Sequence, residues 1–286
     1  MNPIAFKIGQ LAVYWYGILI VAGVLSGAYV ATIQARRRGQ DAERVWDALL
    51  VCLVMGMIGA RVYHVFSSGQ GGMLGWAYYR ENPQAIFKIW EGGLGLIGAI
   101  IGGALGIAVY ARFARLPALV WLDIGAYGVL LAQVIGRWGN YINQELYGPP
   151  TSLPWGIHIG PNWRIVPYND IVSYPMDTLF QPLFLYESLW CLVGFVLLWW
   201  LSGRFRDWLL DGDVFCLYVI WYAVGRGVIE FWRLDAWMWG RIAVAQVFAI
   251  AALAGALTAI LYRHLRRRAP QPAAAGGGDT EGLVSP

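Results

Sequence analysis

Three stretches of this chain run for twenty residues or more without a charged side chain: Leu11–Gln34 (24 residues), Gly92–Ala111 (20) and Ile242–Tyr262 (21). Such runs dictate the fold class, because about 20 apolar residues of helix cross a hydrocarbon core about 30 Å thick. Four further segments are of similar length and carry a charge within them or at one end: Trp46–Phe66, Leu116–Ile135, Leu183–Leu201 and Asp213–Trp232. The expectation is an all-α polytopic membrane protein with seven transmembrane helices. Composition agrees. Of the 286 residues 13% are charged and the mean hydropathy is +0.52, whereas a soluble domain carries about 25% charge. That balance excludes an ordinary soluble globule, a disordered chain and a coiled coil, all of which need more polar surface. The 16 Trp and 16 Tyr suit aromatic belts at the two membrane interfaces. The first run is too long for a secretory signal core and further spans follow it, so it reads as a retained helix.

Seven spans leave the termini on opposite sides. Of the 21 Lys and Arg, 12 fall on one side in short loops and the C-terminal end, 7 fall on the other in longer loops, and Arg61 and Arg226 remain at membrane depth. The positive-inside rule makes the richer side cytoplasmic, with the N-terminus outside and the C-terminus inside. The net charge of +4 is therefore a topology signal. The basic clusters flank spans and hold no nucleic-acid-reading motif. The outer connections, 67–91 and 136–182, are rich in Gly, Pro, Asn and Trp, which predicts a small outer cap of irregular chain and short strands. Residues 1–268 read as a single seven-helix membrane domain, and 269–286 as a disordered cytoplasmic tail. Cys52, Cys191 and Cys216 sit in apolar segments at a spacing that fits neither a metal site nor a disulfide framework. No internal repeat supports an inverted-repeat transporter.

A charge at membrane depth costs about 2.5–3.5 kcal/mol on insertion scales and defaults to a functional reading. In the segment that begins at Asp213, Tyr222, Arg226, Glu230 and Arg233 are spaced 4, 4 and 3, which puts them on one helical stripe. An Arg226–Glu230 pair would neutralise both charges without explaining their presence. Gly225 and Gly227 flank Arg226 and allow a partner to approach the backbone. The strongest local signal is GRWGNYINQELYG, Gly136–Gly148, on the outer side of the fourth span. Arg137 offers a planar fork of donors that matches phosphate oxygens. Asn140, Asn143 and Gln144 add neutral donors, Glu145 can orient an arginine or accept a proton, and Gly136, Gly139 and Gly148 permit tight backbone. Any one of these alone is an ordinary helix-end residue, and their density argues for more. Gly98, Gly102 and Gly106, four apart, form a small-residue face for close helix packing. Tyr16 reads as an interfacial aromatic and His64 as a packed or interfacial residue. Arg61, on the same face as His64, requires a carboxylate, a carbonyl or a lipid phosphate. His158 has no nearby partner in the sequence, and His264 belongs to the basic cytoplasmic end.

With these motifs in order, roughly residues 5–262 resemble the prolipoprotein diacylglyceryl transferase family. Gly136–Gly148 resembles its signature. YWYG at Tyr14–Gly17, GAR at Gly59–Arg61, WEGGLG at Trp90–Gly95, LYES at Leu185–Ser188 and the Tyr222, Arg226, Glu230 stripe resemble its other patterns. The resemblance implies a bacterial inner-membrane enzyme. It would transfer diacylglyceryl from phosphatidylglycerol to the lipobox cysteine of a preprolipoprotein signal peptide and release glycerol phosphate. It implies membrane lipids as surroundings, and no cofactor, metal or nucleic acid. Catalytic parts are implied for Arg137, Arg226, Glu145, Glu230, Asn140 and Tyr16. Contacts to phosphatidylglycerol are implied for Arg137, Asn140, Gly148, Arg226, Tyr222 and Arg61. Two positions depart from the pattern: Ile97 stands where many members carry a histidine, and Gln181 precedes Pro182 where a histidine is common.

The expected chemistry is displacement at the glycerol carbon that bears the phosphate. The thiol, pKa about 8.5, reacts as the thiolate. Arg137 and Arg226 stabilise the departing anion in a low-dielectric site and lower the thiol pKa, with Glu145 and Glu230 orienting them. A lipid-binding or lipid-moving membrane protein is the competing reading, because the same arginines would hold a headgroup without chemistry. Thiol-dependent release of glycerol phosphate separates the two. A channel or transporter fits less well, because no repeated polar face crosses several spans.

Overall fold

The computed structural model describes residues 2–9, 11–66, 75–88, 93–234, 236, 238–240 and 242–268. Residues 67–74 and 89–92 of the expected outer connection, with Trp90, Glu91 and Gly92 of WEGGLG, lie outside the described residues, as do Arg241 and the tail 269–286. An antiparallel hairpin comes first, β1 (Ile4–Ile8) and β2 (Leu11–Tyr14). Helix α1 (Trp15–Arg37) follows directly. The first charge-free run is thus strand for four residues, because β1 offers them ladder partners, and helical from Trp15. Then come α2 (Glu43–Phe66), the short α3 (Trp76–Glu81), α4 (Leu96–Phe113) and α5 (Ala118–Ile142). An irregular segment containing β3 (Ile157–His158) and β4 (Leu179–Phe180) leads to α6 (Leu183–Arg204). Helix α7 (Asp213–Ile229) runs into a 3-10 turn at Glu230–Trp232, and the pair β5 (Met238–Trp239) and β6 (Ile242–Ala243) precedes α8 (Val244–Arg268). The chain is mostly helical. Among the described residues six helical segments are long and apolar enough to cross a membrane: α1, α2, α5, α6, Asp213–Trp232 and α8. In the region where a seventh is expected, α4 contributes a shorter apolar stretch, Ile101–Phe113.

Lipid gives helices no hydrophobic reason to associate, so close backbone approach at small residues must hold them together. Two such seams organise the bundle. Helix α1 crosses α5 at Gly27 and Gly128: a Cβ on Gly27 would lie 2.5 Å from the Gly128 carbonyl oxygen, and one on Gly128 2.7 Å from that of Gly27. Helix α2 crosses α4 at Gly59, against Gly98 and Gly102, and a Cβ on Gly106 would lie 2.7 Å from Met55 Cβ. The small-residue face expected at Gly98, Gly102 and Gly106 is therefore a helix-packing face. Trp190 on α6 and Trp221 on α7 form a third lock. Their rings stack 4.2 Å apart, and each indole N–H donates to the other's carbonyl at 2.9 Å. Gly194 and Gly225 make room for these rings, so the partner that approaches Gly225 is an indole.

Buried carboxylates fasten one end of the bundle. Asp123 of α5 accepts from the backbone amides of Gly212 and Phe215, each at 2.8 Å, and from Arg38 Nη1 at 2.9 Å. It thereby caps the N-terminal end of α7 and ties α1 to it. Asp213 receives Arg263 Nη1 at 3.1 Å and His264 Nε2 at 2.7 Å, which docks α8.

The glycine seam yields a prediction. Gly27→Val places branched carbon against a backbone oxygen that has no room to withdraw, and overpacking of this kind costs about 1–3 kcal/mol or more. Detergent-solubilised Gly27→Val should lose its monodisperse peak on size-exclusion chromatography. Gly255→Ala, whose added carbon meets nothing within 4 Å, should behave as the parent protein. Equal behaviour of the two variants would remove the seam from the account of the fold.

Candidate active site

At the other end of the bundle, four charged side chains from three helices form one chain. Arg137 extends from α5, Glu187 from α6, and Arg226 and Glu230 from the end of α7. Arg137 Nη2 lies 2.6 Å from Glu187 Oε2. Glu187 Oε1 lies 3.3 Å from Arg226 Nη1. Arg226 Nη2 lies 2.7 Å from Glu230 Oε2. Sign alternates along the chain, so two guanidinium groups share one carboxylate and neither cation is left alone at depth. Both glutamates are buried, whereas the Arg137 side chain keeps 25% of its surface exposed. Tyr222, Trp190 and Cys191 line a crevice beside Glu187 and Arg226. The pairing expected from the 4-residue spacing of Arg226 and Glu230 is present.

The Gly136–Gly148 segment divides into two jobs. Its first half is still helix: α5 continues to Ile142 rather than ending before the motif, because Trp138, Tyr141 and Ile142 carry on its apolar face, with Trp138 and Tyr141 packing on Phe184. This puts Arg137 on a rigid element that faces α6. Asn143 then closes the helix, and left-handed φ values at Gln144 (56°) and Leu146 (55°) turn the chain. Asn140 Nδ2 and Asn143 Nδ2 donate to Glu145 at 3.4 and 3.3 Å. Glu145 is exposed and bound to these amides; the carboxylate that orients the arginines is Glu187.

The second half of the motif is architectural. Gln144 Oε1 accepts from Gly160 N at 2.6 Å. The buried Tyr147 hydroxyl donates to the Trp163 carbonyl and accepts from Ile165 N. Gly148 N donates to the Gln181 carbonyl at 2.8 Å, and a Cβ there would crowd Gln181, Leu183 and the Trp232 carbonyl. Gly148 therefore seats the segment between α5 and α6 against the start of α6. Buried Arg164 holds that segment from inside by donating to the carbonyls of Ile159, Tyr174 and Pro175.

The Tyr16 ring lies on Gly139, one residue from Asn140, where a Cβ would be 2.6 Å from it. The aromatic start of α1 thus borders the motif. Arg61 donates to three carbonyls within 2.8 Å, those of Ala85, Ile86 and Gly93. Of the partners required of a buried arginine, it uses carbonyls, and it ties Ala85, Ile86 and Gly93 to α2. Buried His64 packs edge-on to Tyr79 and sits with Arg61 around Gly93. His158 is exposed, and His264 pairs with Asp213 at the far end. The described residues contain no group of three or more His, Cys, Asp or Glu that could hold a metal.

Glu187 was not singled out from the sequence, although it joins the two arginines. The signal was available: it is the only charge in the Leu183–Leu201 run, and the cost of an intramembrane charge applies to it as it does to Arg226. What an arrangement of this kind offers chemically is a pair of rigid forks held side by side, with N–H groups left for the oxygens of a phosphodiester.

The family profile described as "Prolipoprotein diacylglyceryl transferase" matches residues 3–262. A phosphatidylglycerol–prolipoprotein diacylglyceryl transferase of Chloroflexus aggregans is 42% identical over 94% of this chain and 91% of its own. A protein of the same name from Lactiplantibacillus plantarum is 38% identical over 92% of this chain and 90% of its own. One from Streptococcus equi subsp. zooepidemicus is 36% identical over 93% and 97%.

Removing the shared carboxylate should expose its structural role. Glu187→Ala strands Arg137 and Arg226 beside each other, and loss of one partner of a buried ion pair costs about 3–5 kcal/mol. Reversible unfolding in mixed micelles should show a drop of about 3 kcal/mol, smaller for Glu187→Gln. No measurable drop in Glu187→Ala would mean that the two cations do not depend on it.

Proposed function

The chain belongs to the prolipoprotein diacylglyceryl transferase family, and from that premise we propose that it transfers the diacylglyceryl group of phosphatidylglycerol to the lipobox cysteine of a prolipoprotein. The observation that carries the reading is the pair of arginines, from α5 and α7, fixed on one carboxylate of α6. In the proposed reaction the substrate thiolate attacks the glycerol carbon that bears the phosphate. A carbon–sulfur bond forms, the carbon–oxygen bond to phosphate breaks, and glycerol phosphate leaves with the electron pair. Charge grows on the departing phosphate, and Arg137 and Arg226 meet it with donors that need no reorganisation. The same positive field favours the thiolate. Glu187 and Glu230 orient the guanidinium groups. Water or a carboxylate takes the thiol proton, and Ile97 is not required to supply a base.

The remaining residues take lesser parts. Asn140, steadied by Glu145, donates to the headgroup. Tyr222 walls the crevice beside Arg226, and Tyr16 covers the approach over Gly139. Gly148 keeps the motif against α6. Arg61 acts on phosphatidylglycerol through the segment whose carbonyls it holds. No metal or other cofactor has a part.

The proposed topology counts α4 as the seventh span. Its 18 residues extend about 27 Å, close to a hydrocarbon core of about 30 Å. Charge asymmetry sets the N-terminus outside and the C-terminus inside a bacterial inner membrane. The Arg137 cluster then lies toward the periplasm, beneath a cap built from the segments between α2 and α4 and between α5 and α6. Residues 1–268 form one membrane domain, and 269–286 a cytoplasmic tail. A reporter fused after Arg268 should behave as cytoplasmic; periplasmic activity of that fusion would invert the arrangement.

The direct test is to incubate purified protein with phosphatidylglycerol and a lipobox peptide and to follow the peptide mass. A diacylglyceryl adduct with release of glycerol phosphate is expected, and none with a Cys→Ala peptide. Headgroup binding without thiol-dependent release would favour the lipid-binding alternative. Arg137→Lys keeps the charge but loses the planar fork, and should reduce turnover by about a hundredfold or more. Near-normal turnover would remove Arg137 from the reaction. His64→Gln should keep substantial activity, with the rate rising toward the thiol pKa of about 8.5. A loss of about a hundredfold in that variant, the scale of a missing general base, would instead assign the proton to His64.

A further inference from the structure

Among the described residues a cavity lies at the opposite end of the bundle from Arg137. It measures about 660 Å³, the range of a small-molecule site. Its wall comes from the C-terminal end of α1 (Gln34, Arg37, Arg38), the first half of α5 (Tyr127), and the chain from the end of α6 onward (Arg206, Asp211). Tyr127 precedes Arg137 by 10 residues on α5, about 15 Å of rise. The two sites are therefore separate.

The polar groups of this wall are unevenly occupied. Arg38 is committed to Asp123 at 2.9 Å and lies 3.7 Å from Asp211. Asp211, the one acidic residue in the wall, faces Arg38 and is otherwise exposed. Arg37 rests on the Trp199 ring, 4.4 Å from its centroid. Neither Arg37 nor Arg206 has a carboxylate within salt-bridge reach among the described residues. One deeply buried group in the wall, Gln34 Nε2 on a residue 5% exposed, has no hydrogen-bond partner among the described residues. Buried polar atoms are seldom left so. Gln34 Nε2 and the guanidinium groups of Arg37 and Arg206 are donors, so the wall calls for a multivalent acceptor that carries negative charge.

We infer that this cavity binds a phosphate-bearing group, with Arg37 and Arg206 pairing its charge and Gln34 donating to its oxygens. Phosphate supplies several strong acceptor oxygens, and arginine is the side chain best shaped to meet them. The phosphate can belong to a lipid headgroup at the membrane interface, where the ends of α1 and α6 lie, or to a soluble phosphate. In the proposed topology this end is cytoplasmic, so the site would be filled from the leaflet or solution on the side away from the reaction. The inference does not depend on the proposed reaction.

Thermal unfolding of the full-length protein in phospholipid-free detergent tests it. The probes are short-chain phosphatidylglycerol, inorganic phosphate, and dioctanoylglycerol as a phosphate-free lipid. A ligand that binds only the folded state raises Tm by mass action. The expected result is a saturable rise that Arg37→Gln/Arg206→Gln weakens by about tenfold or more in apparent Kd and that Arg137→Gln leaves in place. Both arginines are exposed, so the unliganded variant should stay folded. A rise with phosphatidylglycerol alone that persists in Arg137→Gln and weakens in Arg37→Gln/Arg206→Gln supports the site and assigns it to a lipid headgroup. A rise with inorganic phosphate as well supports it and assigns it to a soluble phosphate group. Three results would overturn it: no saturable rise with either phosphate probe, a rise that Arg37→Gln/Arg206→Gln leaves unaltered, or an equal rise with dioctanoylglycerol.

Discussion

Two guanidinium groups side by side at membrane depth repel each other and lose their hydration. The carboxylate of Glu187 makes the arrangement possible by pairing with both, at 2.6 Å from Arg137 and 3.3 Å from Arg226. Glu230 then balances the second arginine at 2.7 Å. The pattern is neutral in sum and strongly directional in detail, which is what a site for a transient anion needs: donors fixed before charge appears, in surroundings where each counts for more than in water. The Trp190–Trp221 lock joins the same two helices that carry Glu187 and Arg226. The glycine crossing of α1 and α5 brings Tyr16 over Gly139. Both contacts fix the spacing of these charges.

The sequence disclosed much of this because membrane insertion is an austere filter. Long apolar runs have few uses, and a charge inside one is conspicuous. Arg226 and Glu230 were visible for that reason, Arg137 through the dense polar motif around it, and the small-residue face of Gly98, Gly102 and Gly106 through its four-residue spacing. Glu187 obeyed the same rule but lay inside a motif read as a family pattern, and its partners are 50 and 39 residues away in the chain. Helical periodicity reveals only near neighbours; the α5–α6–α7 junction is a tertiary fact. Glu145 shows the converse error. Its place in the motif suggested an arginine partner, whereas local geometry gives it the amides of Asn140 and Asn143.

Boundaries were the least legible part. Nothing in Leu11–Tyr14 distinguishes a strand from the first turn of a helix until β1 is known to pair with it. The signature looked like a loop because glycine and asparagine are poor helix formers, yet α5 runs through Gly136 and Gly139 to Ile142, held by Tyr16 and Phe184. Tertiary packing overrode propensity there, and the result is a catalytic arginine proposed on a rigid helix rather than on a mobile turn. The far end of the bundle was read only as a basic flank. The fold collects part of that flank, with Gln34 and Tyr127, into a walled cavity.

The central claim is that Arg137 and Arg226 act as one unit through Glu187. A double-mutant cycle on kcat/KM, with Arg137→Lys, Arg226→Lys and the double variant, tests it most directly. Residues that act together are strongly non-additive in such cycles. The account predicts that the double variant is scarcely slower than the slower single variant. Losses that simply multiply would show two independent contacts, and would contradict the shared-carboxylate design.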